Sequence, residues 1–419
     1  MDSLHRLPRE ERLSRVAQAC GLTSAEVDVL SGRTPLSLDI AENLIENVVG
    51  IFPVPLGVVT GLRIDGQDLL VPMAVEETSI IAAASATAKW IRKQGEIRTE
   101  SLGSLIIGQV QLPLVKNVAR TIEILTAHKA ELIARANSFL PGLVQRGGGV
   151  RDLVIRELER ADAGGTMLVL HILCDPCDAM GANLINQVCE GLKPGIEEMT
   201  GENVGLCILS NLVDGKKVRA EITIHDIDPE VGHGIEEASI FAETDPYRAA
   251  THNKGVLNGI DPILIATGND WRAVEAGIHA YAGREGQYQP VTTWRFDRGD
   301  LIGRFEAPLA VGTVGGVTRI HPTAQVCLKI MGVTYAEELA RICAAVGLVQ
   351  NLGALKALAT VGIVKGHMQL HASNLAIAAG AEIHEIPLVR AKLTEVLRTE
   401  KKINVTRARE ILESLRLVQ

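Results

Sequence analysis

The apolar positions along this chain change period several times, and each change marks a new element. From residue 9 to 50 they recur at helical intervals, with a Ser/Thr start before an acid in TSAEVDVL. LDIAENLIENVVG spaces Leu38, Ile40, Leu44 and Val48 along one helical face and stops at Gly50. GVVTGLRIDGQDLLVPMAV then reads as two strands joined by a tight Asp65-Gly66 turn. ETSIIAAASATAKWIRKQG predicts a small-residue helix capped by Thr78 or Ser79.

A second series runs from about 104 to 213. It contains a strand (LIIGQVQL), a helix (TIEILTAHKAELIARANSFL), strands near VRDLVIREL and TMLVLHILCD, and the helix NLINQVCEGLKPGIEEMTG. That order suits a compact α+β domain. Further on, ALAVGTVGGVTRI and EELARICAAVGLVQNLGALKALATVGIV predict helices packed closely through small residues. The C-terminal stretch PLVRAKLTEVLRTEKKINVTRAREILESLRLVQ alternates charge with Leu and Val at helical spacing, as a separable small module would.

With 419 residues, 47% hydrophobic and 22% charged, the chain has apolar material for two or three domains and is not expected to be disordered. A net charge of -8 spread over both signs, with 3% aromatic residues, argues against a nucleic-acid partner. Apolar stretches such as Val48 to Val59 are interrupted by Pro or Gly or fall short of the ~20 residues a bilayer requires, so no membrane span is expected. The opening MDSLHRLPREERLSRV lacks the apolar core of a secretory signal, and a cytoplasmic protein is expected. Seven cysteines, odd in number and mostly in apolar segments, read as free thiols.

Several segments invite chemistry. DAMGAN (Asp178, Ala179, Met180, Gly181, Ala182, Asn183) lies between a predicted strand and a predicted helix, where backbone N–H groups can meet a phosphate. An ordinary strand-to-helix turn fits the same spacing, and no G-x-G-x-x-G occurs. Residues 245 to 277 gather Arg248, His252, Lys254, Asp270 and Arg272 among small and turn-forming residues, as a functional loop or a solvated one would. Glu76-Glu77 follow a predicted strand; continued alternation would turn one carboxylate inward as a general acid, although acids at a helix start are also common. His367 and His371 are four apart, but the Glu of H-E-x-x-H is missing, so no metal site is expected. Cys174 and Cys177 form a lone C-x-x-C without the second pair a tetrahedral site needs.

Taken together, ENVVG (46–50), EETS (76–79), DAMGAN (178–183), DPYRAATHNKG (245–255), TGNDWRA (267–273), VGGVT (314–318) and GHM (366–368) resemble the 3-hydroxy-3-methylglutaryl-coenzyme A reductase family. Order and spacing match along nearly the whole chain, and the soluble bacterial and archaeal class II members are the nearest in kind. The resemblance implies an α+β fold. A mainly helical large domain (1–103 and 214–360) would bind substrate and dimerise, a small ferredoxin-like NAD(P)-binding domain (104–213) would be inserted in it, and a helical flap (361–419) would follow.

The resemblance also implies the roles. Glu77 is the proton donor, Lys254 the cation at the reacting oxygen, Asp270 their hydrogen-bonded partner and His367 the acid for the departing thiolate. Arg248 pairs with the substrate carboxylate, Ser79 and Asn258 are further substrate contacts, and DAMGAN holds the dinucleotide. The implied reaction is a four-electron, NAD(P)H-dependent interconversion of the thioester and mevalonate plus coenzyme A, through a hemithioacetal and mevaldehyde. The implied assembly is a homodimer with its active site between subunits and ENVVG near the boundary.

Two departures stand out. EETS replaces the EEPS common in soluble members, and Leu140 occupies the place of an aspartate that recognises the adenosine ribose in an NADH-preferring member. Without that carboxylate a 2′-phosphate meets less repulsion, and Arg135 and Arg146 are nearby cations. Two rival readings remain: a lyase using Lys254 as a Schiff-base nucleophile in a desolvated pocket, and a non-catalytic coenzyme A-binding protein.

Overall fold

The computed structural model describes residues 4–162, 164–360, 372–400 and 403–417. The hairpin of β1 (Leu56–Ile64) and β2 (Gln67–Ala74) pairs antiparallel, and Asp65 (φ 50°) and Gly66 (φ 80°) both take the positive φ that a primed turn requires. Helix α4 (Ile80–Gln94) lies across β1, burying Ala84, Ala88 and Ile91. Its entry differs from the expected cap: Ser79 sits at φ 83° and accepts no capping bond.

The main sheet contains β3 (Gly95–Ser101), β8 (Lys217–Ile224), β9 (Thr292–Asp297) and β10 (Asp300–Pro308) in the order β3-β8-β10-β9, all antiparallel. Strand β8 alternates strictly, so Val218, Ala220, Ile222 and Ile224 all enter the core. Helix α14 (Ala336–Ala359) packs against α4, α9 (Pro229–Thr244), α10 (Pro246–Ala266) and β8. By length and composition α14 could cross a bilayer, but it is the central core helix of this fold. Gly347, Gln350 and Asn351 interrupt its apolar run.

Between β3 and β8 the chain builds a second core. Strands β4 (Ile106–Leu112), β5 (Gly149–Glu159), β6 (Thr166–Asp175) and β7 (Cys207–Ser210) form an antiparallel sheet in the order β5-β6-β4-β7. Three helical segments from Val118 to Gln145 separate β4 from β5, and α8 (Ala182–Thr200) separates β6 from β7. This is the β-α-β-β-α-β order of the ferredoxin-like arrangement expected above. Ile185, Val188, Cys189 and Leu192 of α8 seal the core against β4 and β6, and Leu140 is buried in the same cluster.

Two segments depart from the sequence reading. Residues 246–266, expected as a loop, form the 21-residue helix α10. Asp245 caps it through the Tyr247 N–H at 3.0 Å, Pro246 suits its first turn, and Val256, Ile260, Ile263 and Leu264 are fully buried. Conversely, the helix expected through residue 50 spans only Leu38–Glu42. The Asn43 amide donates to the Asp39 carbonyl, and Ile45, Val49 and Phe52 beyond it are exposed, with nothing in the subunit to pack on. At the C-terminus, a helix over residues 372–378 joins Ile386–Glu400 and Val405–Leu417 around a separate core of Ala372, Ala376, Val389, Leu393 and Leu412.

Candidate active site

Strand β2 ends at Ala74, five residues (75–79) link it to α4, which begins at Ile80, and α10 packs against β2. This crossing brings Lys254 on α10 to the connection: Lys254 Nζ donates to Glu77 Oε2 at 3.3 Å. Both side chains are open in the single subunit, Glu77 at 42% and Lys254 at 61% exposure. The inward-turned carboxylate expected from strand alternation is therefore not formed, because the strand stops before Glu76 and both acids are exposed.

Asp270 is the N-cap of α11 (Trp271–Ala282). It accepts from the Ala273 N–H at 3.2 Å and from Arg272 Nε at 3.3 Å. Among the described residues these are its hydrogen bonds, and they lead to neither Glu77 nor Lys254. The helix end holds the carboxylate because unpaired N–H groups and the helix dipole both favour a negative charge there.

Arg248, near the start of α10, is half-buried and has no hydrogen-bonded carboxylate among the described residues. Burial lowers its pKa from the ordinary guanidinium value. A partly desolvated guanidinium without a counter-ion is suited to a carboxylate ligand. Asn258 follows Lys254 by one helical turn on the same face of α10 and is also half-buried. His252 is fully buried, bonded through Nε2 to the Thr292 hydroxyl and to the Asn351 amide, and its pKa is lowered to about 4 by burial and by Arg248. Its role is to tie α10 to β9 and α14. His367 and His371 lie outside the described residues.

The DAMGAN turn joins β6 to α8. Gly181 is the N-cap at φ 91°, and a Cβ there would collide with Ile106 and Pro176. No side chain caps α8, so its first N–H groups are available to an anion. Asp178 is instead committed to the fold. Its carboxylate accepts from the Ala336 N–H at 3.0 Å and its carbonyl from the Thr313 N–H at 2.9 Å. Beside the turn, Lys216 is buried with its pKa lowered, and Asp175 and Asp178 partly offset that burial. Cys174 is buried with its thiol pushed up to about 12, which makes it an unreactive core residue. Among the described residues no cluster of three His, Cys, Asp or Glu groups could hold a metal.

A cleft of about 800 Å³ opens next to Glu77 and Ser79. Its lining combines the cationic or basic His5, Arg9, Arg12 and Lys89 with apolar residues such as Leu13 and Ile81 and with a few hydroxyls. It can take a long ligand that is part anionic and part apolar.

The family model for hydroxymethylglutaryl-coenzyme A reductase matches residues 8–372. The chain belongs to that family. The 3-hydroxy-3-methylglutaryl-coenzyme A reductase of Archaeoglobus fulgidus is 48% identical over 98% of this chain and 94% of its own length. A solved 3-hydroxy-3-methylglutaryl-coenzyme A reductase from Streptococcus pneumoniae superposes with a TM-score of 0.83 at 40% identity, covering 99% of both chains. A second structure of the pneumococcal class II enzyme, bound to NADPH in open conformations, superposes with a TM-score of 0.82 at 40% identity over 86% of this chain and 99% of that one.

For this member of the reductase family, sequence reading missed two groups of residues. Arg9, Arg12 and Lys89 line the cleft, yet in sequence they look like ordinary surface charges; the only signal was the density of cations in HRLPREERLSR. Lys216 carried no signal at all, because burial of a lysine at the junction of two cores follows from packing and not from its neighbours in sequence.

Proposed function

We propose that this chain interconverts 3-hydroxy-3-methylglutaryl-coenzyme A and mevalonate, with Lys254 and Glu77 meeting the reacting oxygen. The observation that carries the reading is their 3.3 Å pairing beside a cleft of mixed cationic and apolar character. Membership of the reductase family supports the overall reaction. NAD(P)H held at the DAMGAN turn supplies a hydride at each of two reductions, and the NADPH-bound pneumococcal relative supports that cofactor class. The uncapped start of α8 and the buried amino group of Lys216 beside the turn suit its pyrophosphate.

In the proposed mechanism Arg248 binds the substrate carboxylate through two oxygens, and Ser79 and Asn258 hydrogen-bond the rest of the acyl group. Lys254 stabilises the negative charge that grows on the carbonyl oxygen during reduction, and Glu77 supplies a proton to that oxygen. Asp270 completes the network when the site is loaded and closed. His367 protonates the coenzyme A thiolate as the hemithioacetal collapses to mevaldehyde. Arg9, Arg12 and Lys89 serve the coenzyme A phosphates, and the apolar wall of the cleft serves its pantetheine arm.

Residues 104–213 are proposed as the dinucleotide domain, 1–103 with 214–360 as the substrate domain, and 361–419 as a flap over the site. Exposed Ile45, Val49 and Phe52 supply a dimer contact next to the catalytic connection, since the Pro55 carbonyl accepts from the Val75 N–H. Free thiols suit a cytoplasmic setting. The Schiff-base alternative fits less well, because Lys254 is exposed and ion-paired where that chemistry requires a desolvated amine.

The test is an assay of the purified chain with 3-hydroxy-3-methylglutaryl-coenzyme A and either NADH or NADPH, following loss of reduced-nicotinamide absorbance. Oxidation of at least one, with mevalonate as product, is expected. Oxidation of neither overturns the reading.

A further inference from the structure

The loop between α10 and α11 carries a side chain that the mechanism leaves unused. Asn269 is half-buried, and its amide meets both backbone groups of Gly312. Nδ2 donates to the Gly312 carbonyl at 3.1 Å, and Oδ1 accepts from the Gly312 N–H at 2.8 Å. A third bond fixes which end of the amide is which. Nδ2 also donates to Thr267 Oγ1 at 2.9 Å, and that hydroxyl sends its own proton to the Ile263 carbonyl at 2.8 Å. The amide thus pairs with Gly312 much as a neighbouring strand would.

Gly312 in turn touches the dinucleotide turn. A Cβ on Gly312 would stand 2.7 Å from Met180 N and 3.2 Å from the Asp178 carbonyl oxygen, so the two backbones are in direct contact. The next residue, Thr313, donates its N–H to that same Asp178 carbonyl at 2.9 Å. A continuous path therefore runs from Asp270 through its chain neighbour Asn269 to Gly312, and from there to Met180 and Asp178. The segments at its two ends belong to different hydrophobic cores.

We propose that Asn269 is a positioning residue whose amide sets the dinucleotide turn at a fixed distance from the loop carrying Asp270. The proposal rests on the reading of the reaction and cofactor site given above. Two hydrogen bonds from one planar amide fix both distance and angle, where a single bond would leave a hinge. Hydride transfer is sensitive to such geometry, because the donor must approach the carbonyl within near-contact distance.

The experiment compares wild type with Asn269→Ala, Asn269→Asp and Gly312→Ala. Asn269→Asp keeps size and shape but sets a carboxylate oxygen against the Gly312 carbonyl and the Thr267 hydroxyl oxygen. Gly312→Ala pushes on Met180 from the other side. The folded variants are expected to lose about tenfold or more in kcat, with a larger primary deuterium isotope effect from deuterated dinucleotide. KM for the dinucleotide should rise about fivefold, and KM for the thioester should stay within about twofold. If Asn269→Ala melts early, the isosteric Asp variant carries the test. Unchanged kcat, dinucleotide KM and isotope effect in folded Asn269→Asp would overturn the proposal. A wild type that oxidises neither dinucleotide sinks the functional reading itself, whereas an active wild type with unaffected variants removes only the role of Asn269.

Discussion

Glu77 Oε2 and Lys254 Nζ stand 3.3 Å apart although 177 residues separate them in the chain. With side chains 42% and 61% exposed, such a pair contributes roughly 0–1 kcal/mol to stability. Its loss should therefore appear in turnover and not in folding. Lys254→Ala is expected to lower kcat by about a hundredfold or more, the effect of removing one donor to a developing oxyanion worth ~3 kcal/mol. Thermal unfolding should shift little, and a Lys254→Ala enzyme with near-normal kcat would remove the lysine from the mechanism.

Arg248 makes a separate prediction. Its half-buried guanidinium has no carboxylate partner among the described residues, so Arg248→Gln removes a ligand contact and not an internal ion pair. KM for the thioester should rise about tenfold to a hundredfold, as expected for a lost hydrogen bond to a charged group, while the dinucleotide KM holds steady. A change confined to the dinucleotide KM would contradict the assignment.

His252 predicts a pH dependence. Its pKa falls from 6.5 in the unfolded chain to about 4 in the fold, so the native state holds it neutral where the unfolded state already binds a proton. The stability it contributes is complete above 6.5, is lost as pH falls from 6.5 towards about 4, and changes no further below that. The amplitude is on the order of 3 kcal/mol. His252→Gln should thus be less stable than wild type near pH 7.5, with the gap in urea midpoint narrowing as the pH drops to about 4. A gap independent of pH would show that protonation of His252 is not involved.

Phe52 tests the proposed subunit contact. It is 91% exposed in the single chain, in a segment whose Pro55 carbonyl accepts from the Val75 N–H, two residues before Glu77. Phe52→Asp should leave the fold intact but shift sedimentation towards the monomer and reduce activity in parallel. An active Phe52→Asp monomer would separate catalysis from assembly.

Much of the local structure was legible in the sequence. The Asp65-Gly66 hairpin, the strand–turn–helix around DAMGAN and three of the four strands of the inserted domain follow from turn chemistry and apolar period, which report local burial directly; the four-residue β7 (Cys207–Ser210) is too short to show a period. α10 was not legible: PYRAATHNKGVLNGIDPILIA mixes small residues with polar ones among its apolar positions, so it shows no clean amphipathic stripe. The truncation of the helix near residue 42 was hidden for the opposite reason, because Ile45 and Val49 keep the helical spacing without an internal surface to bury it.

By itself, then, the sequence determined the family and the order of elements, because the long motifs and the periodicity are properties of neighbouring residues. Only the tertiary structure decided that β2 lies on α10 and so brings Glu77 to Lys254. It also decided that both stay open, that Asp270 turns to its own helix end, and that Asn269 reaches across to Gly312. Those relationships depend on which surfaces pack together, and a side chain's burial and partners are set by what stands opposite it in space, often hundreds of residues away in the chain.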